Sequence, residues 1–276
     1  MRIGIIGDVH GRPVELLNML LRLEKHGVDR IVSLGDLVDR GPTAESSVQC
    51  VRLAQGWSFT ARSGERRNLD VVVGNHEENH IYSHFQRVLP FRDFVPKSRH
   101  QDITDALTAA DYAWLDSIPH WLTIDEGEHK LCFTHGGVLN NMTTPGWYGK
   151  QMGSLLCRIG YLAPDGKILS PWERSERFWA DEYDGKLGHV FFGHTSFKAI
   201  RRFRHATGVD CSKYGSLAAL VWSTEGENPV EMYEKHAEDR SSTSAKVERP
   251  SSSRSQRRMF DWDGESHDWR SRSYGS

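Results

Sequence analysis

Apolar positions along the chain come in short bursts that alternate between two periods. Arg2–Gly7 carries Ile3, Ile5 and Ile6 and breaks at Gly-Asp, the pattern of a buried strand. Pro13 suits the first turn of a helix, and Leu16, Leu17, Leu20, Leu21 and Leu23 then recur at roughly helical spacing until Gly27. Asp29–Leu34 is a second apolar run ended by Gly-Asp, residues 43–55 read as helix, and Leu69–Val73 is a third run, ended by Gly-Asn. Strand and helix in this alternation predict an α/β core with crossover connections. In such sheets the residues just past the strand C-termini line the ligand site. Here those residues are Asp8, Asp36 and Asn75.

From Glu78 to about Ser117 the chain turns aromatic and charged, with helical runs around 78–90 and 104–117, and is expected to form a helical insertion over the rim of that site. Strand patterns return at Trp121–Asp125, Lys130–Thr134, His189–Phe192, Ala199–Phe203, Ala206–Asp210, Leu217–Trp222 and Val230–Tyr233, close enough in sequence to predict antiparallel pairs. The expected folded domain is therefore 1–233. Beyond it, 234–276 is dominated by Ser, Arg, Glu and Asp and reads as a disordered tail. That tail also holds Phe260, Trp262, Trp269 and Tyr274, so it reads either as solvated chain or as a stretch that docks a partner.

Composition narrows the picture by exclusion. A formal charge of -2 over 276 residues gives no global attraction to nucleic acid or anionic lipid. No apolar run approaches the roughly 18 residues of a membrane span. Cys50, Cys132, Cys157 and Cys211 are scattered without a CxxC pair, which fits a cytoplasmic protein with free thiols.

Five polar islands remain: GDVHG (7–11), GDLVDRG (35–41), GNHE (74–77), HGG (135–137) and GHT (193–195), each following an apolar run. A lone Gly-Asp after a strand is ordinarily an Asx turn. Five such islands in order deliver Asp8, His10, Asp36, Asn75, His135 and His194 to strand ends, where a sheet gathers them. This set offers carboxylate, amide and imidazole without thiolate, which suits manganese, iron or zinc in a pair of divalent ions. A carboxylate shared by two ions about 3.5–4 Å apart yields a hydroxide nucleophile near neutral pH and a clamp on phosphoryl oxygens. The literal HExxH at His76–His80 matches a zinc-protease pattern, but that reading leaves the other four islands unexplained. His80 and His84 are expected on one helix face at the rim.

These islands resemble the calcineurin-like metallophosphoesterases of the phosphoprotein phosphatase type, with bacterial symmetrical dinucleoside tetraphosphatases and the phosphatase modules of polynucleotide repair enzymes nearest in look. The resemblance covers roughly residues 2–233. It implies a four-layer αββα sandwich of two mixed sheets with a helical insertion at about 78–118. It further implies that Asp8, His10 and Asp36 hold one ion and that Asp36, Asn75, His135 and His194 hold the other. His76 is then the general acid, oriented by Asp39, and Arg40 the phosphoryl clamp, with Asn75 also in reach of substrate. Arg177, before Trp-Ala, is a further candidate phosphate contact, with Arg174 its rival and a plain surface charge the alternative. Asp210 matches an acidic residue that supports a ligand histidine. Manganese is the first choice of metal, with iron, zinc or nickel as alternatives.

The expected activity is hydrolysis of a nucleotide-type phosphoester or phosphoanhydride, or broad-specificity phosphatase work on a phosphorylated small molecule or protein. Serine/threonine protein phosphatase, nucleic-acid end phosphatase and a partner-binding scaffold acting through the tail are the alternatives. The protein phosphatases of this type carry a long segment with a Ser-Ala-Pro-Asn-Tyr run, and here GHTSFKAIRRFRHATGVD passes quickly to the closing strands instead. RRFRH at 201–205 reads as a polyphosphate-attracting patch or as ordinary strand-edge charge.

Overall fold

The computed structural model describes residues 1–85, 97–142, 149–169, 173 and 175–237. The expectations for the tail from residue 238 onward, for its aromatic residues and for Arg174 lie outside the described residues. Met1–Glu238 is one compact unit, and no helix among the described residues is long and apolar enough to cross a membrane.

The first sheet has the order β12-β11-β1-β2-β5. Its parallel centre is β1 (Arg2–Ile6), β2 (Arg30–Ser33) and β5 (Asp70–Val71), and β11 (Ser216–Ser223) and β12 (Val230–Lys235) add to β1 antiparallel. The second has the order β6-β7-β8-β10-β9. There β7 (His129–Thr134), β8 (His189–Phe192) and β10 (Ala206–Gly208) run parallel, while β6 (Trp121–Glu126) and β9 (Arg201–Arg202) close the edges antiparallel. A hairpin of β3 (Ser58–Thr60) and β4 (Arg66–Asn68) stands beside them. Polar, glycine-bearing letters hid this hairpin from the sequence pattern.

Strand alternation sorts the core into layers. Ile3, Ile5, Val32, Leu34, Phe133, Phe191 and Leu220 pack between the two sheets. On the outer face of the first sheet, Ile6, Ile31, Val71 and Ala219 meet α1 (Pro13–Lys25) and α2 (Ala44–Gly56). On the outer face of the second, Val190 and Phe192 meet Leu156 of α6 (Gly149–Leu156) and Trp179 of α7 (Trp179–Glu182). Helix, sheet, sheet and helix thus make four layers of a mixed α/β sandwich, as expected.

Helix α1 begins with Pro13 in its first turn and buries Leu16, Met19, Leu20 and Leu23, the i, i+3, i+4, i+7 stripe of an amphipathic helix. Leu17 and Leu21 face outward, 38% and 50% exposed, so the buried stripe is narrower than the run of leucines predicts and Met19 belongs to it. The 78–118 stretch is helical where described, in α3 (Asn75–His84), α4 (Lys97–Ala106) and α5 (Ala109–Ser117). These helices do not merely cover a rim. Ile81, Ile103, Tyr112 and Leu115 sit in the same core layer as α1 and α2.

His189 opens β8, with Nε2 against Thr207 Oγ1 at 2.9 Å, and burial, with His205 adding, lowers its pKa to about 4. Its folded value lies below the 6.5 of the free side chain. Its contribution to stability is therefore complete above pH 6.5 and lost as pH falls from there towards 4. Urea midpoints at pH 7 and pH 5 check this: the drop in stability should be about 1–2 kcal/mol smaller in His189→Gln than in wild type. An identical drop in both would contradict it.

Candidate metal centre

All the parallel strands end on one edge. β1 delivers Asp8 and His10, β2 delivers Asp36, and β5 delivers Asn75 at the start of α3. From the other sheet β7 delivers His135, β8 delivers His194 and β10 delivers Asp210. The two edges are stitched across the sandwich: His194 N–H donates to Asp8 Oδ1 at 3.1 Å, and His135 Nδ1–H donates to the Leu34 carbonyl at 2.7 Å.

The loops are held in conformations that side chains ordinarily avoid. His10, Asp36, Asp39, Arg40 and His194 have φ of 49°, 51°, 66°, 56° and 60°. Among the described residues they are the only non-glycine residues at positive φ, and each costs about 1 kcal/mol or more. Strain concentrated in this way is the mark of a site whose side-chain directions are imposed by its surroundings. Close approach adds a second constraint. A Cβ on Gly74 would strike Asp36 Oδ1, and one on Gly193 would strike Asp8 Oδ1.

Glu77 fixes the Asp36 loop from below, a role that local sequence reasoning missed. Its Oε2 accepts from Asp36 N and Gly74 N at 2.7 and 2.9 Å, and its Oε1 accepts from Val38 N at 3.0 Å. The Gly74 contact is also half of a capping box that starts α3. All three partners are donors, so the side chain acts as a carboxylate, although burial, with Asp36 adding, pushes its pKa up to about 7. An S/T/D/N-free capping signature, Gly-x-x-Glu, was the available signal.

Around Asp36 lie two groups of convergent donor atoms. On one side, His10 Nε2 stands 3.6 Å from Asp36 Oδ2 and 3.7 Å from Asp8 Oδ2. On the other, His135 Nε2 stands 3.3 Å from Asp36 Oδ1 and 3.0 Å from Asn75 Oδ1, which also meets His194 Nδ1 at 2.9 Å. His10 Nδ1–H donates to the Val38 carbonyl at 3.1 Å, as His135 Nδ1–H does to Leu34, and this turns each Nε2 towards the carboxylate and amide oxygens. Asp8 Oδ2 is buried with no hydrogen-bond partner. Oxygens and imidazole nitrogens converging in this way could hold a metal ion. The charges in the cluster also shift one another strongly. Burial lowers His135, yet Asp36 and Asp8 outweigh it and push its pKa up to about 10, while Asp8 is raised well above the usual range by burial and by Asp210. Burial would raise Asp36 as well, but His135 and His76 hold it well below that range. The oxygen and nitrogen set fits divalent ions. Two groups that could hold one share Asp36: Asp8, Asp36 and His135, and His10, Asp36 and His76.

Beside this cluster, His76 Nδ1–H donates to Asp39 Oδ2 at 2.5 Å. Burial would raise the Asp39 carboxyl, but hydrogen bonds from His76 and His80 hold it far below the ordinary range. Arg40 is exposed and forks, Nη1 to His10 Nε2 at 2.9 Å and Nη2 to His76 Nε2 at 3.1 Å.

Three expectations change here. Arg177 is not brought to the cluster: its guanidinium pairs with both oxygens of Glu182 at 2.7 Å and bonds the carbonyls of Ala163 and Pro164. Asp210 bonds no histidine. Its Oδ1 accepts from Ser212 N at 2.7 Å and its Oδ2 has no partner, and backbone carbonyls orient His10 and His135 instead. His80 is no rim residue but fully buried, while His84 stacks on Tyr112 with ring centroids 3.7 Å apart. A third donor group, Glu78, His120 and Cys157, already has a cation, because Arg158 pairs with Glu78.

A family model described as calcineurin-like phosphoesterase matches residues 1–213. The chain is 26% identical over 242 residues to the asymmetrical bis(5'-nucleosyl)-tetraphosphatase PrpE of Halalkalibacterium halodurans, covering 80% of this chain and 89% of that protein. It is 33% identical over 145 residues to the symmetrical bis(5'-nucleosyl)-tetraphosphatase of Escherichia coli K12, covering 52% of this chain and 44% of that enzyme. The chain thus spans less than half the length of the symmetrical relative. A crystal structure named for a diadenosine tetraphosphatase superposes with a TM-score of 0.62 at 23% identity, over 84% of this chain and 93% of that one, and shows the shared fold.

Replacing Glu77 tests the loop clamp. Glu77→Gln turns an amide N–H₂ towards backbone N–H groups and should cost about 2 kcal/mol in urea unfolding. A midpoint equal to wild type would show that the clamp does not hold the Asp36 loop.

Proposed function

The chain belongs to the calcineurin-like phosphoesterase family and is a phosphoester hydrolase, and from that premise we propose that it cleaves nucleotide-type phosphoanhydrides or phosphoesters at a centre of two divalent ions. One observation carries this reading. The two oxygens of Asp36 face two separate groups of lone pairs, His10 with Asp8 on one side and His135 with Asn75 and His194 on the other. Asp8, His10 and Asp36 would hold one ion, and Asp36, Asn75, His135 and His194 would hold the second. Manganese suits these donors, with iron, zinc or nickel as alternatives. When bound, such ions supply Lewis-acid charge at the phosphoryl oxygens and a water-derived nucleophile at neutral pH.

The protein's own groups do the rest. The Arg40 fork, free to leave His10 and His76 when an anion enters, binds phosphoryl oxygens in a bidentate way. His76 protonates the leaving oxygen through Nε2 while Asp39 holds its Nδ1–H, since the ionised Asp39 favours the imidazolium. Burial lowers the His76 pKa and the charge on Asp36 and the Asp39 hydrogen bond raise it, with a net upward shift that suits an acid. Asn75 stands at the same edge within reach of substrate. The bis(5'-nucleosyl)-tetraphosphatase relatives support dinucleoside polyphosphates as the substrate class, and the asymmetrical one matches over most of its length. The four cysteines are buried and free, which fits action in the reducing cytoplasm.

A side-by-side assay with Mn²⁺ of diadenosine tetraphosphate, phosphopeptides and 3′-phosphorylated oligonucleotides checks the reading. The highest kcat/KM should fall on diadenosine tetraphosphate, and product identity (two ADP, or ATP with AMP) fixes the bond cut. His76→Asn should lower kcat by about 10²–10⁴. A preference for phosphopeptides or oligonucleotide ends would replace the nucleotide reading.

A further inference from the structure

Asp39 is held by a histidine on each oxygen. Oδ2 accepts from His76 Nδ1–H at 2.5 Å, and Oδ1 meets His80 Nε2 at 3.0 Å. His76 and His80 are one turn apart on α3, so both rings leave the same face of one rigid element. Facing a carboxylate, His80 Nε2 carries the proton, and its Nδ1 then accepts from Thr104 Oγ1–H at 2.8 Å. Thr104 lies on α4, and its carbonyl accepts from the Tyr112 hydroxyl of α5 at 2.9 Å. His80 has no exposed surface, so substrate cannot touch it. Asp39 itself sits on a loop at positive φ, and each of its two carboxylate oxygens meets one of these rings.

We propose that His80 is a positioning residue: by holding Oδ1 it fixes the plane of the Asp39 carboxylate, and through it the direction in which His76 Nε2 points. This rests on the reading of His76 as proton donor given above. In that step a water-derived oxygen forms a new bond to phosphorus, the P–O bond to the leaving group breaks with its electron pair going to the leaving oxygen, and that oxygen takes the proton from His76 Nε2. Asp39 stays ionised and keeps the Nδ1–H bond, while His80 keeps its own proton and transfers nothing. Misdirection of Nε2 matters most when the leaving group needs a proton. An alkoxide does, whereas p-nitrophenolate leaves readily without one. A purely structural role, lowering the fraction of active enzyme, would slow all substrates alike.

The test compares kcat for an alkyl phosphate with kcat for p-nitrophenyl phosphate, using full-length protein with Mn²⁺. His80→Leu should lower the alkyl-to-nitrophenyl ratio about 10-fold, in kcat and not KM, as a fraction of what a general acid supplies. His80→Gln, whose amide N–H can replace Nε2–H, should regain most of the ratio. Thr104→Val, which leaves the ring in place, should lower it in the same direction by less, and with the Gln variant carries the test where the Leu variant does not fold. An equal loss on both substrates, a Gln variant as impaired in the ratio as Leu, or an unchanged ratio in Thr104→Val would overturn the proposal. His76→Asn separates the two ideas. If it lowers the ratio and the His80 variants do not, only the positioning role falls. If it leaves the ratio at the wild-type value, the proton-donor reading falls and takes the positioning role with it.

Discussion

Asp36 lies almost dry between two sets of lone pairs, and accommodating that concentration of negative charge and acceptor atoms organises the structure around it. Its carboxylate is 1% exposed, within 3.3 Å of His135 on one side and 3.6 Å of His10 on the other. Burying an ionised group without compensation costs several kcal/mol. His76 N–H meets part of that cost by donating to Asp36 Oδ1 at 3.0 Å, but it does not reach Asp8 Oδ2. Divalent ions held here would satisfy all these atoms together, which makes the cluster a candidate metal centre.

The scaffold follows from the same requirement. Parallel strands in two sheets end on one edge, so residues far apart in sequence arrive within bonding distance. The loops that carry them then adopt left-handed backbone at five positions, and Glu77 ties the Asp36 loop down through three N–H bonds. Glycines at 74 and 193 let backbone pass directly over the two carboxylates. Core packing between the sheets stabilises the fold as a whole, and the strained loops draw on that stability. These strand ends gather the donor atoms of the candidate centre at one edge.

The layered α/β fold was legible in the sequence because strand and helix periods are local, and the candidate site because each polar island follows an apolar run. Elements without those signals were not. The β3–β4 hairpin has polar strands, and α6 begins inside a glycine-rich stretch. Leu17 and Leu21 belong to a leucine run whose buried share depends on where the sheet lies, which periodicity alone leaves open. His80 was misread because its meaning depends on Asp39, which comes to it from another loop across the fold. Asp210 and Arg177 went the other way. Both matched a pattern in the chain, but a nearby Ser212 amide and a nearby Glu182 took their hydrogen bonds.

The central claim is that Asp36 bridges two ions, and anomalous scattering from crystals grown with Mn²⁺ tests it most directly. The account predicts two peaks about 3.5–4 Å apart, one on each side of the Asp36 carboxylate. A single peak, or two peaks of which one lies away from Asp36, would contradict it.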